Sequence, residues 1–396
     1  MVDVRDNAVP TVDPLTGTAL LDHASALAYN IGPRPAGHET ENRARSYIRK
    51  TLHAMGIEEV KAQPFQTPDT WGYALGTPFA LSLGGLILSR LGWPGRILGG
   101  LLGGAAAYLT WRAASGMRQP LDQVAPQKTS ANLIVRIPSA GRPKHKVVLL
   151  AHTDTNRHRD SFSNQRKGML AQTTTALMGL QAAGAVAQVI GNRWLTRAIG
   201  AAQVAGVAAI LADERGPYVD GANDNASAVA CLLGLANTLN ANPLKHTDVW
   251  IVFTGAEEVG LVGVHTLLDE YGDQLMGAYF IDLEMVGRGQ LSYVAEHSGF
   301  STLSSYAPDP ESVALVERTA IAHPSFRVSG KKVTMLDETA AVRRRGYKGI
   351  CLVGLEVDGW PANWHRDTDA IGNLQPEALE RAARFTLATL QTLDAD

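Results

Sequence analysis

The stretch Val249-Trp-Ile-Val-Phe-Thr-Gly-Ala-Glu257-Glu258-Val-Gly260 decides how the rest of this 396-residue chain is read. Its apolar, β-branched run predicts a buried strand, and the strand ends in two adjacent carboxylates beside glycines, where open α/β sheets place their active sites. Buried paired carboxylates require a compensating charge. No basic residue lies in the run, so a metal cation is the natural candidate, one Glu coordinating it and the other handling a proton.

Working outward, the flanks read as α/β sequence. Helical spacing of apolar residues predicts helices over 40–56, 225–239, 261–271, 336–345 and 376–393. Short apolar runs predict strands over 60–65, 132–137, 146–151, 278–283 and 349–354, and the alternation implies a parallel-type sheet. A hydrophobic fraction of 45% supplies a substantial core. The 36 basic and 38 acidic residues leave a formal net charge of −2 with no long basic tract, which argues against a nucleic-acid partner. Cys231 and Cys351 sit in apolar surroundings and read as buried thiols in a reducing compartment. The first ten residues lack the basic and apolar regions of a secretory signal, which predicts a cytoplasmic N-terminus.

Two insertions interrupt this pattern, over 70–112 and 168–212. Trp71 to Ser89 carries no charge, Arg90 to Arg96 reads as a turn, and Ile97 to Trp111 is uncharged again. The design recurs: Gly168 to Asn192 is uncharged, Arg193-Trp-Leu-Thr-Arg197 reads as a turn, and Ala198 to Ala212 is apolar. These are either a soluble four-helix lid over the site or two membrane hairpins. The uncharged runs of 15 residues, about 22 Å of helix, fall short of a hydrocarbon core of roughly 30 Å. Trp71, Trp93, Trp111 and Trp194 at run ends and in turns favour a membrane, as do Gly99 with Gly103 and Gly100 with Gly104, small residues four apart.

Four further stretches plant polar groups at strand ends or in adjoining loops. Ala151-His152-Thr-Asp154 ends a strand in an imidazole that can bind metal and a carboxylate that can hold its ring, although such a pair also occurs as plain structure. Asp224, in Gly221-Ala-Asn-Asp224-Asn-Ala-Ser, stands at a helix start, as a ligand or as an N-cap. Asp282-Leu-Glu284 offers two carboxylates facing one way on a regular strand. Trp364-His365-Arg-Asp367-Thr-Asp369 brings a late histidine in a loop. The remaining histidines, His23, His38, His53, His145, His158, His246, His265, His297 and His323, have no such context and read as surface.

In this order these segments resemble the M28 family of zinc peptidases, together with Gly32-Pro-Arg-Pro-Ala-Gly near the N-terminus. The resemblance implies a three-layer α/β/α fold with a mixed, largely parallel sheet, a single catalytic domain over 16–396, and two zinc ions at the carboxyl edge. Carried over by position, His152 and Glu284 would bind one zinc, Glu258 and His365 the other, and Asp224 would bridge them. Glu257 would be the general base, and Asp154 would orient His152. The family usually has Asp where Glu284 stands, with Asp282 the alternative ligand if the register slips, and Asp337-Glu338 stands where it often has Asp-His. The implied activity is that of a di-zinc aminopeptidase acting on peptides with a free N-terminus. A glutaminyl-cyclase-like acyltransferase with one zinc, or a non-catalytic membrane or binding homologue, are the alternatives. Two hairpins keep all catalytic segments on one side of a membrane, expected to be the cytoplasmic one; a soluble cytoplasmic protein is the other expectation.

Overall fold

A computed structural model describes residues 13–396; the first ten residues, where the sequence lacks an export signal, lie outside the described residues. Strands β1 (Val60–Thr67), β2 (Lys128–Ile137), β3 (His145–His152), β4 (Thr247–Thr254), β5 (Tyr279–Glu284), β6 (Gln290–His297), β7 (Ser329–Val333) and β8 (Lys348–Leu355) form one sheet in the order β1-β2-β4-β3-β5-β8-β6-β7. Pairings β3 with β4, β3 with β5, β5 with β8 and β6 with β7 are parallel, and those of β1 with β2, β2 with β4 and β6 with β8 are antiparallel. The sheet is therefore mixed, with parallel strands at its centre.

Period-2 alternation explains why the β4 run is apolar throughout. Val249, Ile251 and Phe253 face helices α1 (Gly17–Ser25), α2 (Glu39–Ala54), α7 (Ser227–Ala241), α9 (Pro310–Ala322) and α11 (Pro376–Asp394). Trp250 and Val252 face the opposite layer, formed by α8 (Val262–Tyr271) and α10 (Glu338–Arg344). With helices on both faces, neither set of side chains can be polar. Strands β6 and β7 and helices α1 and α9 are absent from the sequence expectations. Strand β7 is an edge strand of mostly exposed residues, Ser-Gly-Lys-Lys-Val, held by backbone pairing instead of apolar burial.

The insertions form helices α3 (Gly72–Leu88), α4 (Gly92–Ala114), α5 (Leu170–Ile190) and α6 (Arg193–Asp213). Both turns are shorter than the sequence pattern implies. Arg193 to Arg197 lies inside α6, because Gly191 takes a left-handed φ of 75° and the side chain of Asn192 caps the helix by accepting from the Leu195 N–H. Helix α4 likewise begins at Gly92 and carries Trp93 to Arg96 in its first turns. At 23 and 21 residues, α4 and α6 are about 34 and 31 Å long. The helices pass through the arginines, so the uncharged runs understate their length.

The four helices pack as one bundle, with α4 of the first insertion against α5 of the second. Small residues set the spacing. A Cβ added at Gly99 would stand 2.2 Å from the Gln188 side-chain oxygen and 2.4 Å from the Gly85 carbonyl oxygen, and one at Gly103 would stand 3.0 Å from the Ala185 Cβ. Gly104 faces open space and plays no such part.

Candidate metal centre

Strand ends β3, β4 and β5 and two loops converge on one cluster at the carboxyl edge of the sheet. His152 closes β3, Glu257 and Glu258 follow β4, and Glu284 closes β5. Asp224 sits in the turn before α7 and His365 in the loop after β8. Ala256, Met285 and His365 adopt left-handed φ values of 54°, 48° and 52°. For non-glycine residues this costs about 1–3 kcal/mol each, a strain that aims the neighbouring carboxylates and the imidazole inward.

The side chains form two groups that share Asp224. His152 Nε2 lies 3.1 Å from Asp224 Oδ1 and 3.5 Å from Glu284 Oε2. His365 Nε2 lies 3.3 Å from Asp224 Oδ2 and 3.0 Å from Glu258 Oε2. Ligand atoms about 3.3 Å apart match the edge of a tetrahedron with bonds of roughly 2.0 Å, the zinc geometry for imidazole and carboxylate. Buried oxygens Asp224 Oδ2, Glu258 Oε1 and Glu284 Oε1 have no hydrogen-bond donor. Nitrogen and oxygen donors with uncompensated buried lone pairs fit a divalent cation.

Electrostatics point the same way. Burial pushes the Glu257 carboxyl well above the usual carboxylate range, against the pull of His152 and with Glu258 and Glu284 adding to the rise. Burial likewise lifts Glu284, to about 7. At Asp224 burial opposes ionisation, but the nearby imidazoles of His152 and His365 outweigh it and hold the group below the ordinary range. His365 shows the converse: burial disfavours its charge, yet Glu258 and Asp224 raise it to about 9. Carboxylates crowded this closely keep protons unless a cation replaces them.

His152, Asp154, Asp224, Glu257, Glu258, Glu284 and His365 all come to this cluster. Asp154 does more than face His152. The His152 ring is held by the Asp154 backbone carbonyl, 3.0 Å from Nδ1, while the Asp154 carboxylate accepts the backbone N–H groups of Glu257 and Glu258 at 3.0 and 3.1 Å. It therefore fixes the turn that presents both glutamates. Asn225 holds Glu284 through a 3.0 Å bond from Nδ2 to Oε2. Asp282 instead groups with Asp337 and Cys351, their donor atoms within 4.8 Å of one another, so Glu284 is the strand-end carboxylate that reaches His152. The backbone between Asp224 and Asn225 is cis.

Three further residues support the cluster. Asn156 donates from Nδ2 to Glu258 Oε2 at 2.7 Å and accepts at Oδ1 from Arg159 Nε at 2.9 Å. Buried Arg34, from the Gly-Pro-Arg-Pro segment, donates to the carbonyls of Thr153, Asp220 and Gly221, tying the His152 loop to the Asp224 loop. Asp369 accepts from the backbone N–H groups of Asn223 and Asp224 at 2.6 and 3.1 Å. Arg34 and Asp369 lie in segments that the sequence singles out without giving either residue a role, whereas Asn156 had no sequence sign. Two of the histidines read as surface are buried: His265 bonds the Gly116 carbonyl through Nε2 at 3.1 Å, and His297 stacks on Tyr306 with ring centroids 4.1 Å apart. Both cysteines are free and buried, in line with their apolar contexts.

Over the cluster stands an apolar wall of Trp71, Phe162, Phe300 and Trp364. The Phe162 and Trp364 rings lie 4.8 Å apart and the Trp71 and Phe300 rings 5.6 Å apart. Trp71 is the residue before α3, so the first insertion contributes to the cleft.

Fold and cluster define a class: an α/β protein whose sheet edge carries histidine and carboxylate groups able to hold divalent cations. The particular family follows from comparison with known proteins. The profile of Peptidase family M28 matches residues 132–390, and the chain belongs to that family. A relative in Mycobacterium tuberculosis, "Probable lipoprotein aminopeptidase LpqL", is 30% identical over 148 residues, 36% of this chain and 29% of that protein. The matched stretches span 29% and 19% of the lengths of the two curated relatives. Among solved structures, a zinc aminopeptidase from Bacillus subtilis superposes with a TM-score of 0.57 at 15% identity, covering 96% of this chain and 95% of that one. A glutaminyl cyclase from Bacteroides thetaiotaomicron gives 0.58 at 15% identity, over 95% and 98%. At that identity the likeness is one of fold.

Proposed function

We propose that this chain is a metal-dependent aminopeptidase that works with two zinc ions on peptides with a free N-terminus. The observation that carries the reading is the pair of ligand groups sharing Asp224, with the Glu257 carboxylate 4.0 Å from His152 Nε2 at the cleft edge. His152, Asp224 and Glu284 would hold one ion, and Asp224, Glu258 and His365 the other. Bound there, zinc polarises a carbonyl and lowers the pKa of water toward neutrality. Glu257 takes a proton from the attacking water and returns it to the leaving amine, a role suited to a carboxyl whose pKa burial has raised. Asp154 keeps Glu257 in place through its backbone. The aromatic wall offers an apolar side chain a place beside the scissile bond.

Two complete ligand groups favour this reading over a one-ion acyltransferase of the glutaminyl-cyclase kind and over a non-catalytic homologue. On location, we place all catalytic segments together on the cytoplasmic side. Glu257→Gln is expected to abolish hydrolysis of aminoacyl substrates while zinc content stays at two per chain. Near-normal turnover by that variant would refute the mechanism, and a single zinc per wild-type chain would refute the two-ion assignment.

A further inference from the structure

The four inserted helices have reversed polarity. From the start of α3 to the end of α6, the helices carry charge only at Arg96, Arg112, Arg193, Arg197 and Asp213, all near helix ends. Leu101, Val186, Ile190, Val204 and Leu211 point outward, each more than half exposed. Ser82, Thr110, Gln181, Gln188 and Gln203 are instead buried inside the bundle, beside Phe79 and small residues. Thr110 donates to the Gln181 side-chain oxygen at 2.9 Å across α4 and α5, and Gln203 donates to the Leu180 carbonyl at 3.1 Å across α6 and α5. A bundle surrounded by water places its glutamines outside and its valines inside. Helices surrounded by hydrocarbon do the opposite, with small residues at their seams and interhelical hydrogen bonds between polar side chains.

We infer that a lipid bilayer covers the outer face of this bundle. Among the described residues, helix α6 alone is long and apolar enough to cross a membrane, and only 11% of its apolar stretch is buried. The bundle's far end carries Trp93 and Trp194, 71% and 81% exposed, among Arg90, Arg96, Arg193 and Arg197. Indole rings suit the headgroup level, and four arginines without an acidic neighbour complement anionic headgroups. The near end carries Tyr108, Trp111 and Arg112, so amphipathic side chains mark both ends of a span about 25–34 Å long. Trp71 stands at the near end and walls the cleft. The cleft therefore opens at the bilayer surface, and, on the peptidase reading, the substrates it meets are peptides whose amino ends lie at that surface.

The test is fractionation of the full chain from membranes at alkaline pH, with reconstitution into vesicles of phosphatidylcholine and phosphatidylglycerol. Wild type is expected to stay in the membrane pellet. Leu101→Arg with Val204→Arg is expected to lose most of that retention, whereas Ile321→Arg, an equally apolar and exposed position on α9, leaves it unchanged. In vesicles brominated on the acyl chains, wild-type tryptophan emission falls. Release of wild type as a soluble monomer or dimer, unchanged retention of the double variant, or unquenched emission overturns the inference. Glu257→Gln should fractionate like wild type while losing hydrolysis. Peptide hydrolysis by a freely soluble chain would therefore remove only the lipid, and an inert but membrane-retained wild type only the peptidase.

Discussion

At the scale of single residues, the cluster was legible wherever a polar group interrupts an apolar run. His152, Glu257, Glu258 and Glu284 stand at strand ends, so burial and charge conflict within a few positions and the conflict announces itself. Asn156 and Arg159 have no such contrast, since their loop is polar throughout, and only the folded chain brings Asn156 to Glu258. Because Asn156 fixes that carboxylate from behind, Asn156→Ala should weaken metal binding at the Asp224, Glu258 and His365 group by about 10–100-fold. Chelator competition on purified protein checks this, and the His152 group should be spared. His265 and His297 were misread because a solitary imidazole carries no sequence sign of which way its helix or strand turns it.

At the scale of elements, apolar periodicity located the central strands and the long helices, while β7 escaped because its stability comes from backbone pairing at the sheet's edge. Helix α8 shows how an insertion is tied down. His265 on that helix donates to the carbonyl of Gly116 just beyond α4, and Arg345 approaches its other nitrogen at 3.3 Å. Burial, with the nearby Arg345 and Arg118, lowers its pKa to about 4, against an unfolded value near 6.5. Between those values the unfolded chain binds the extra proton, so stability falls as pH drops from about 6.5 toward 4, by about 3 kcal/mol from this group. Denaturant melts across that window should show a shallower acid decline for His265→Gln than for wild type.

At the scale of the whole molecule, the cluster gathers carboxylates from the central strands and from loops far apart in sequence, and their mutual repulsion opposes folding until cations neutralise it. Zinc binding should therefore stabilise the entire catalytic domain. At a thousandfold excess over its dissociation constant, one bound ion adds about 4 kcal/mol. Thermal melts with chelator, then with zinc restored, measure the difference. Identical melting temperatures would mean that the cluster holds no ion in the folded state. The organisation into one sheet with helices on both faces followed from the sequence, and a four-helix assembly was one of the two readings of the insertions, but the seam of α4 on α5 that merges them was not legible, because nothing within either insertion specifies its neighbour.

That merging orders assembly in time. Each helical hairpin is a local structure, able to form from its own stretch of chain. The seam between α4 and α5 joins distant stretches, and the chain between them runs through β2 and β3. Closing it is a non-local step, slow by the logic of loop closure, and it is favoured once both strands have paired with β4, which lies between them, and so brought the hairpins' roots together. A nascent chain whose sheet has stalled thus displays Gly99 and Gly103 without their partners on α5, an unfinished seam that distinguishes an immature molecule from a mature one.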